Sequence, residues 1–452
     1  MNQIIDVQEE KKKTQRKDGE NRPKRKPSSG NENTRRVAAE RKRPSNRGTT
    51  GEMKKRKKPV PSKEKIKESE QTKRNIKKEP KVEEEIKKPN ENKPKKKNIA
   101  KKILLTLLIL FVIGASSLGI LLYGPYNGFR DWLITSAMTT MTHQWIAYLF
   151  YDEDTINAVM ASNRVDEIQE DTDTNAIVVG VQAEEEKTYE NEYERAILEK
   201  KNPSDTYKII EIDGKGYSGY LAAIYDPSKV KTMVTSKIGT TGQYLTTMAK
   251  NNKAVVAING GGFDDPNYSS NAANPLGITY SRGKLVTSYY YAGAGGIIGF
   301  DTSDKLVLSS KCTEQSAKSL KIRDAVTCGP FLIVNGKKSG VVGNGGWGTA
   351  PRTAIGQRKD GIVLFLVVDG RTVKRPGADM DDLIEIMQNY GAYNAANLDG
   401  GTSSVLVVGD TIVNDPIDSS GAHKTRPIST AFIVAKDESD DSDHSVVANK
   451  LK

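Results

Sequence analysis

The pattern of hydrophobic and polar positions changes character along the chain. Residues 1–102 contain few hydrophobic side chains and keep neither a helical nor a strand period, so they cannot bury enough apolar surface to fold. Residues 103–124 form an apolar run of 22 residues without a charge. At about 1.5 Å of rise per residue, this run spans a hydrocarbon core of roughly 30 Å. We therefore predict a disordered arm followed by one transmembrane helix.

The next segment, residues 125–204, has a mixed pattern. Its first part contains WLITSAMTTMTHQWIAYLF, where apolar residues recur at helical spacing, and an acidic stretch follows. This pattern predicts a juxtamembrane helical stalk and a linker. His143, Trp145 and Tyr148 are expected to make packing or headgroup contacts and to take no part in a functional site.

Short strand-like runs dominate residues 205–436. Segments such as YKIIEIDG and GIVLFLVVDG are rich in Val and Ile and end in turn residues, whereas GQYLTTMAKN and DMDDLIEIMQNY have helical spacing. Many strands with few helices predict an α+β fold, a mixed, strand-rich globular domain. The polar residues 437–452 predict a disordered tail.

Charge fixes the expected orientation of the chain in the membrane. Residues 1–102 carry 36 Lys and Arg against 16 Asp and Glu, and the run KPKKKNIAKK directly precedes the apolar segment. Positive residues next to a membrane helix stay in the cytoplasm. No small-residue cleavage site is evident after Tyr123, so we predict an uncleaved single-pass anchor in the cell membrane. The N-terminus is then cytoplasmic and the C-terminal domain extracytoplasmic.

The basic arm has three interpretations. Anionic lipid at the inner leaflet is the plainest partner for it. Nucleic acid is disfavoured because residues 1–102 contain no aromatic side chain to stack on bases. A solvated tail that only sets topology is an equally good interpretation.

Several chemistries find no support in the sequence. Two cysteines and three histidines do not form the spaced cluster of a zinc site, and no Gly-Lys pair is followed by Ser or Thr, as a P-loop requires. Cys312 and Cys328 are equally compatible with a disulfide and with two separate buried thiols. No cofactor is certain. A divalent cation such as calcium is possible, but no EF-hand spacing exists and the metal stays unassigned.

Candidate chemistry concentrates where apolar strands end in polar residues and glycines. AINGGGF at residues 257–263 places Asn259 at a strand end, followed by Gly260 and Gly261. The amide is suited to bind a sugar or phosphate oxygen, and the glycines allow close approach of backbone N–H groups to a ligand. The alternative is a tight turn in which Asn259 bonds to its own backbone.

Three arginines lie at comparable strand ends. Arg352 follows Pro351, and Arg371 and Arg426 stand in LVVDGR and RPISTAFIV. A guanidinium grips a phosphate through two parallel hydrogen bonds, so the three together predict an anion site. Any single one of them is also compatible with a surface ion pair.

Asp369 and Asp399 form a candidate carboxylate pair. Both end hydrophobic strands and precede glycine, and glycosidic cleavage ordinarily uses two carboxylates. The alternative for each is an Asx-turn. Ser403 and Ser404 are poor nucleophile candidates because GTSS lacks the G-x-S-x-G elbow and His423 is the only nearby base.

Six segments taken in order resemble the phosphodiester glycosidase family. They are AINGGGF, CGPFLIVNGK, APRTAIGQRKDG, LVVDGR, NAANLDGGTSS and RPISTAFIV, and they cover roughly residues 205–436. The family contains N-acetylglucosamine-1-phosphodiester alpha-N-acetylglucosaminidase-like domains, and this chain looks like a bacterial member of the exopolysaccharide-biosynthesis type. The resemblance implies hydrolysis of the bond between an anomeric carbon and a phosphate oxygen.

The resemblance also implies a set of site residues. Asp399 and Asp369 are expected to be catalytic. The expected substrate-binding residues are Asn259, Gly260, Gly261, Arg352, Arg371, Gly400, Gly401, Thr402, Ser403 and Arg426. Thr402 departs from the family, which often has a third glycine there, and this difference would narrow the pocket or change the sugar that fits.

The resulting hypothesis is a membrane-anchored extracytoplasmic hydrolase that acts on glycosyl phosphodiesters in envelope or exopolysaccharide glycans. Two alternatives stay open. One is a module that binds such glycans without turnover, and the other is a transferase that passes the glycosyl or phosphoglycosyl group to another acceptor. Sugar release separates the binding module from the hydrolase, and a test of water against a sugar acceptor separates the transferase.

Overall fold

The computed structural model describes residues 97–140, 143–180, 188–264, 271–289 and 295–436. The predicted basic arm, apart from residues 97–102, and the predicted tail at 437–452 lie outside the described residues. The strand-rich α+β fold with a few helices is confirmed.

A long apolar helix, α1, covers Lys97–Tyr123 and has exposed apolar side chains along most of its length. Its segment Ile99–Tyr123 is long and apolar enough to cross a membrane. The helix begins earlier than the predicted 103–124 because Lys and Ala are good helix formers. It ends before Pro125, which cannot continue the hydrogen-bonding pattern and disfavours helical backbone at the residue before it.

The remaining helices are short. The predicted helical segments at 242–251 and 379–390 are both present, and the second is capped by Asp379, whose side chain accepts from the Asp382 N–H. The further α-helices are α2 Asn127–Met138, α3 Trp145–Phe150, α4 Glu153–Ser162, α5 Glu192–Leu198, α6 Leu245–Asn251, α7 Glu314–Ser319 and α8 Met380–Asn389.

The described residues form 21 strands. They are β1 Arg164–Asp166, β2 Tyr207–Gly214, β3 Tyr217–Ile224, β4 Val230–Val234, β5 Ala254–Asn259, β6 Phe263–Asp264, β7 Asn274–Pro275, β8 Gly277–Ser281, β9 Lys284–Tyr289, β10 Gly296–Asp301, β11 Leu306–Ser309, β12 Ile322–Cys328, β13 Phe331–Val334, β14 Lys337–Lys338, β15 Gly340–Val342, β16 Arg352–Arg358, β17 Val363–Asp369, β18 Ala392–Asn397, β19 Leu406–Val408, β20 Thr411–Ile412 and β21 Thr430–Ala435.

The strands form three larger sheets. Their orders are β14-β13-β18-β16-β17-β3-β2, β20-β19-β5-β21-β4 and β11-β10-β12-β8-β9, and two-stranded sheets join β1 to β15 and β6 to β7. Neighbouring strands within the sheets run antiparallel.

The seven-stranded sheet is buried on both faces, which explains the continuous apolar run of β17. Val363, Phe365 and Val367 point into one core, which they share with residues of β5 and β21 such as Ile258 and Phe432. The alternate residues of β17 point to the opposite face, where α5 and α8 pack. Because successive side chains of a strand point to opposite faces, both faces of β17 must be apolar.

Parts of residues 127–140, 143–180 and 188–198 pack against the strand-rich part of the chain, and one of its strands comes from them. β1 pairs with β15, and the Glu167 carboxylate accepts a hydrogen bond of 2.9 Å from the Phe331 N–H. Ala196 and Ile197 of α5 are buried in the core that covers β17. Much of the segment predicted as stalk and linker is therefore built into the same compact unit as the strands.

Candidate active site

The candidate residues lie where the strand ends of two sheets meet. Antiparallel pairing puts Arg352, at the start of β16, opposite Val368, next to Asp369 at the end of β17. β18 ends at the same edge and leads into Asp399. In the smaller sheet, β5 ends at Asn259. The Asp399 N–H donates to the Gly260 carbonyl at 3.1 Å, and this bond joins the two edges.

Asn259 is completely buried, and both polar atoms of its side-chain amide form hydrogen bonds with other protein groups. Nδ2 donates to the Asp399 carbonyl at 2.6 Å. Oδ1 accepts from Thr353 Oγ1 at 2.7 Å and from the Val405 N–H at 3.3 Å. In this arrangement Asn259 holds the loop that carries Asp399; its contact with a sugar or phosphate oxygen stays a prediction.

The glycines after Asn259 are required by close packing. A Cβ on Gly260 would lie 2.6 Å from Thr430 Oγ1, and a Cβ on Gly261 would lie 2.4 Å from the Thr327 carbonyl. The Gly261 N–H donates to Thr430 Oγ1 at 3.0 Å. Since real Cβ atoms do not approach so closely, these glycines let the chain pass between β21 and β12 after the end of β5.

Asp399 has one satisfied and one unsatisfied carboxylate oxygen. Oδ1 accepts from the Gly400 N–H at 3.0 Å, whereas Oδ2 is shielded from solvent and has no hydrogen-bond partner among the described residues. Burial raises the pKa of Asp399, and the Ser403 hydroxyl, the charge of Arg426 and the Gly400 N–H oppose this rise. The Ser403 hydroxyl lowers the pKa of Asp399 from a nearby position, although no hydrogen bond of regular geometry joins it to the carboxylate.

Cys328 is a neighbour of Asp399 that the sequence analysis did not place in the site. Burial and the charge of Asp399 raise the pKa of this thiol to about 12. Cys312 and Cys328 are both free cysteines, and Cys312 Sγ lies 3.1 Å from Thr327 Oγ1. The structure thus contains the two separate thiols and not the disulfide.

The loop after Asp399 forms a tight 3₁₀ turn at Gly401–Ser403. Gly401 has a φ of +63°, and its N–H donates to the Pro351 carbonyl at 2.8 Å. A Cβ on Gly401 would lie 2.9 Å from Arg371 Nη2. Glycine therefore gives this turn its left-handed conformation and leaves space for the guanidinium.

Asp369 is held by a residue that motif analysis missed, Asn414. Asn414 Nδ2 donates to Asp369 Oδ1 at 2.8 Å and to the Ser404 carbonyl at 3.0 Å. The Asp415 N–H donates to both Asp369 oxygens at 3.1 Å. Burial raises the pKa of Asp369, and these hydrogen bonds oppose the rise. Asn414 thereby connects the Asp369 carboxylate to the loop that follows Asp399.

Arg352 is buried and holds backbone carbonyls. Nη2 donates to the Trp347 and Gly348 carbonyls, each at 2.6 Å, and Nε donates to the Ala378 carbonyl at 3.3 Å. Burial lowers the pKa of Arg352 to about 10, Asp379 opposes this change, and the charge of Arg371 adds to it. Two of these three hydrogen bonds therefore hold the loop before β16, and the third holds the segment before α8.

Arg371 contacts the loop that follows Asp399, and Arg426 acts on Asp399 through its charge. Arg371, with a φ of +64°, uses Nη1 to donate to Thr402 Oγ1 at 2.8 Å and to the Ile417 carbonyl at 2.7 Å. The Arg426 guanidinium lies 4.6 Å from the centre of the Phe263 ring, a cation–π distance. Burial lowers the pKa of Arg371, Asp418 opposes this change, and Arg426 lowers the pKa further, so the two guanidinium groups interact.

A cavity of about 380 Å³ is formed by residues from the segments around Asp415 and His423. His423 lies on its wall and contacts Asp415 across 2.7 Å between Nδ1 and Oδ1. Its lining residues are Tyr244, Ile412, Asp415, Pro416, His423, Lys424 and Thr425. Within the described ranges, no group of three or more His, Cys, Asp or Glu side chains is placed to hold a metal ion.

Residues 252–435 match the model of the phosphodiester glycosidase family, so the chain carries a domain of that family. The SPbeta prophage-derived uncharacterized protein YomE of Bacillus subtilis (strain 168) is 30% identical over 203 residues, which cover 43% of this chain and 30% of YomE. The N-acetylglucosamine-1-phosphodiester alpha-N-acetylglucosaminidase of Bos taurus is 37% identical over 67 residues, covering 15% and 12% of the two chains.

The chain thus spans less than a third of the length of these two curated relatives. Among solved structures, the catalytic domain of the zebrafish N-acetylglucosamine-1-phosphodiester alpha-N-acetylglucosaminidase is 23% identical, with a TM-score of 0.43. That similarity covers 52% of this chain and 85% of the zebrafish chain.

Proposed function

We propose that this protein is a membrane-anchored extracytoplasmic hydrolase that cleaves the sugar–phosphate bond of glycosyl phosphodiesters. The observation that carries the proposal is the Asp399 carboxylate, which keeps Oδ2 shielded and without a partner among the described residues, next to the positive charge of Arg426. A carboxyl whose pKa is raised by burial, with a charged neighbour and one uncommitted oxygen, is a candidate for a reactive group. The family match of residues 252–435 and the N-acetylglucosaminidase activity in the name of the Bos taurus relative support this substrate class.

The leaving group of this reaction, a phosphate, needs little protonation by the enzyme. A phosphate with a second pKa near 6 departs with less protonation than an alcohol does. In the proposed mechanism, Asp399 acts on the anomeric carbon, either by activating water or as the nucleophile, and the anomer of the released sugar distinguishes these routes. The guanidinium groups of Arg371 and Arg426 stabilise the charge of the departing phosphate.

The other predicted residues receive positioning roles in this mechanism. Asn259 and Arg352 use their donors on backbone carbonyls of the surrounding loops, so they set the geometry around Asp399. Asp369 already accepts hydrogen bonds at both oxygens, and its proposed role is to orient the loop through Asn414. Thr402 directs Arg371 through its hydroxyl.

Two contacts at the end of α1 support an anchor that is kept in the mature protein. Tyr151 Oη donates to the Leu122 carbonyl at 2.9 Å, and Tyr123 Oη donates to the Phe150 carbonyl at 3.2 Å. Removal of α1 would delete both contacts and the buried Leu122 side chain. With the Lys-rich run on the cytoplasmic side, the domain faces the envelope, and its proposed substrates are envelope or exopolysaccharide glycans that contain sugar phosphodiesters.

The test uses the full-length protein in detergent, because a fragment beginning near residue 200 would lack α5 and β1. A synthetic N-acetylglucosamine phosphodiester is incubated with the protein in water labelled with heavy oxygen, and mass spectrometry shows which product carries the label. The proposal expects label in the free sugar. Label in the phosphate would indicate a phosphodiesterase instead. Transfer of sugar to an added acceptor, or binding without release, would favour the transferase or the binding module.

A further inference from the structure

Large apolar and aromatic side chains are exposed where α1 meets the rest of the protein. Tyr123, Tyr126, Trp145, Tyr148 and Leu149 are 52–67% exposed. They come from the end of α1, the link to α2, and α3. The six residues of α3, WIAYLF, include no charged side chain. Soluble surfaces rarely expose such groups together, and a concentration of them indicates an interaction site.

α3 turns three of its large apolar side chains outward, whereas Ile146 packs against the core side. Its small residue, Ala147, is buried in a cluster with Ile134 of α2 and Val159 of α4. Its large residues Trp145, Tyr148 and Leu149 face outward. A surface helix normally turns its large apolar side chains to the core and its polar side chains to water. The outward face of α3 is therefore built for an apolar or interfacial environment.

Contacts with α1 identify that environment. The end of α3 is fixed to the end of α1 by the Tyr123–Phe150 and Tyr151–Leu122 hydrogen bonds, and the rings of Tyr123 and Tyr151 pack edge to face with centroids 6.1 Å apart. A bilayer that surrounds the apolar part of α1 must therefore have its surface next to α3. Trp and Tyr concentrate at this level of a bilayer because their rings are apolar and their N–H or O–H groups are polar.

We propose that Tyr126, Trp145, Tyr148 and Leu149 form a membrane platform, a surface that inserts into the headgroup region of the outer leaflet. This inference rests on the proposed anchoring by α1 and goes beyond it. A lone transmembrane helix would tether the domain at any angle, whereas the platform adds a second contact that fixes its orientation on the bilayer.

The platform is joined to the candidate active site through α2. Thr139 Oγ1 at the end of α2 donates to the Trp347 carbonyl at 3.3 Å, and Arg352 Nη2 donates to the same carbonyl at 2.6 Å. Asn344 Nδ2 donates to Thr135 Oγ1 at 2.9 Å. The loop held by Arg352 thus rests on the helix that leads to the platform. The substrates of an enzyme oriented in this way are glycan phosphodiesters at the membrane surface, including lipid-linked ones.

Fluorescence of single tryptophans tests the platform directly. The full-length protein is reconstituted in phosphatidylcholine–phosphatidylglycerol vesicles with only Trp145 retained (Trp132→Phe, Trp347→Phe). The control retains only Trp347 (Trp132→Phe, Trp145→Phe). The platform predicts that lipids brominated near the headgroup quench Trp145 and shift its emission to the blue, with little effect on Trp347.

Vesicle flotation after an alkaline wash, measured on the same samples, separates this proposal from the anchor. Protein that floats without quenching of Trp145 would overturn the platform alone. Protein that does not float would overturn the anchor and the platform together. The proposed hydrolase activity is tested independently, by the release of sugar from a soluble substrate.

A second set of variants tests the consequence for substrate. Trp145→Ser, Tyr148→Ser and Leu149→Ser are combined, and the matched control combines Val178→Ser, Ile238→Ser and Leu285→Ser at exposed apolar positions elsewhere. The platform variant should lose kcat/KM on a lipid-linked phosphodiester in vesicles and keep the wild-type value on a soluble one. Equal activity of both variants on both substrates would contradict the proposed substrate class, and circular dichroism checks that each variant is folded.

Discussion

The side-chain amide of Asn259 donates a hydrogen bond of 2.6 Å to the backbone carbonyl of Asp399. This bond ties the end of β5 in one sheet to the loop that follows β18 in another. The reverse connection, from the Asp399 N–H to the Gly260 carbonyl, is 3.1 Å long. The position of the Asp399 carboxylate is therefore fixed by the meeting of two sheets and not by its own strand alone.

Replacing Asn259 should damage both stability and activity. In Asn259→Ala, the Thr353 hydroxyl, the Val405 N–H and the Asp399 carbonyl lose a buried partner. We expect a loss of about 2–4 kcal/mol in the free energy of unfolding. Because the Asp399 loop also loses its attachment, kcat should fall at temperatures where the variant is still folded. Thermal melts and initial rates check this, with the exposed Asn202→Ala as the control; wild-type kcat in folded Asn259→Ala would argue against a positioning role.

Arg371 and Thr402 should act as a coupled pair. Their hydrogen bond is 2.8 Å long, and we propose that it aims the guanidinium at the phosphate. A double-mutant cycle on kcat/KM with Arg371→Lys and Thr402→Val should give a coupling energy of about 1 kcal/mol. Arg371→Lys alone should cost more than Thr402→Val, because it also removes the bond to the Ile417 carbonyl. Strictly additive effects would separate Thr402 from the function of Arg371.

The pH dependence of the reaction should respond to Ser403. The Ser403 hydroxyl lowers the pKa of Asp399, against the larger effect of burial. If Asp399 acts as a carboxylate, activity is lost as the pH falls through this pKa. Ser403→Ala removes a lowering influence, so the acid limb of kcat/KM should move to higher pH. Ser404→Ala is the matched control, and an unmoved limb in Ser403→Ala would mean that another group sets it.

Stability should depend on pH through Asp382, which pairs with Asp379 in the cap of α8. Burial, together with the charge of Asp379, raises the pKa of Asp382 to about 6. The native state therefore holds this proton more tightly than the unfolded state, whose Asp has a pKa of about 4. The stabilising contribution is fully present below about pH 4 and is lost as the pH rises through about 6.

The wild type should therefore lose thermal stability relative to Asp382→Asn as the pH rises from about 4 to 7, by about 1 kcal/mol after allowance for the partial exposure of this carboxyl. Melting curves across this pH range measure the difference. Asp381→Asn changes an exposed neighbour in the same helical turn and keeps Asp382, so its stability should follow the pH dependence of the wild type. A constant difference between wild type and Asp382→Asn would contradict the raised pKa.

The sequence was sufficient for the α+β class, the long apolar helix and the helix capped by Asp379, because each depends on a local pattern of apolar and capping residues. It also placed the candidate chemistry at the ends of apolar strands, and the resemblance to the family implied that these residues surround one site. The pairing of β16 with β17 and β18 brings Arg352, Asp369 and the Asp399 loop to one edge. Antiparallel neighbours place the start of one strand beside the end of the next.

Features that depend on long-range pairing were not readable from local patterns. Asn414 stands in an ordinary polar turn, and only the folded chain brings it to Asp369 and Ser404. Arg352 has the motif position of an anion ligand, yet most of its donors hold backbone carbonyls. Likewise, nothing in the short sequence of β1 indicates that it pairs with β15, more than 170 residues later.

The most direct test of the proposed function is the initial rate of sugar release from a synthetic N-acetylglucosamine phosphodiester by the wild type, Asp399→Asn and Asp410→Asn. Asp410 is an exposed aspartate in the turn between β19 and β20, so it controls for the substitution itself. We predict release by the wild type and by Asp410→Asn, and a rate at least about 100-fold lower for Asp399→Asn. Release by folded Asp399→Asn at the wild-type rate would contradict the assignment of Asp399 as the reactive carboxylate.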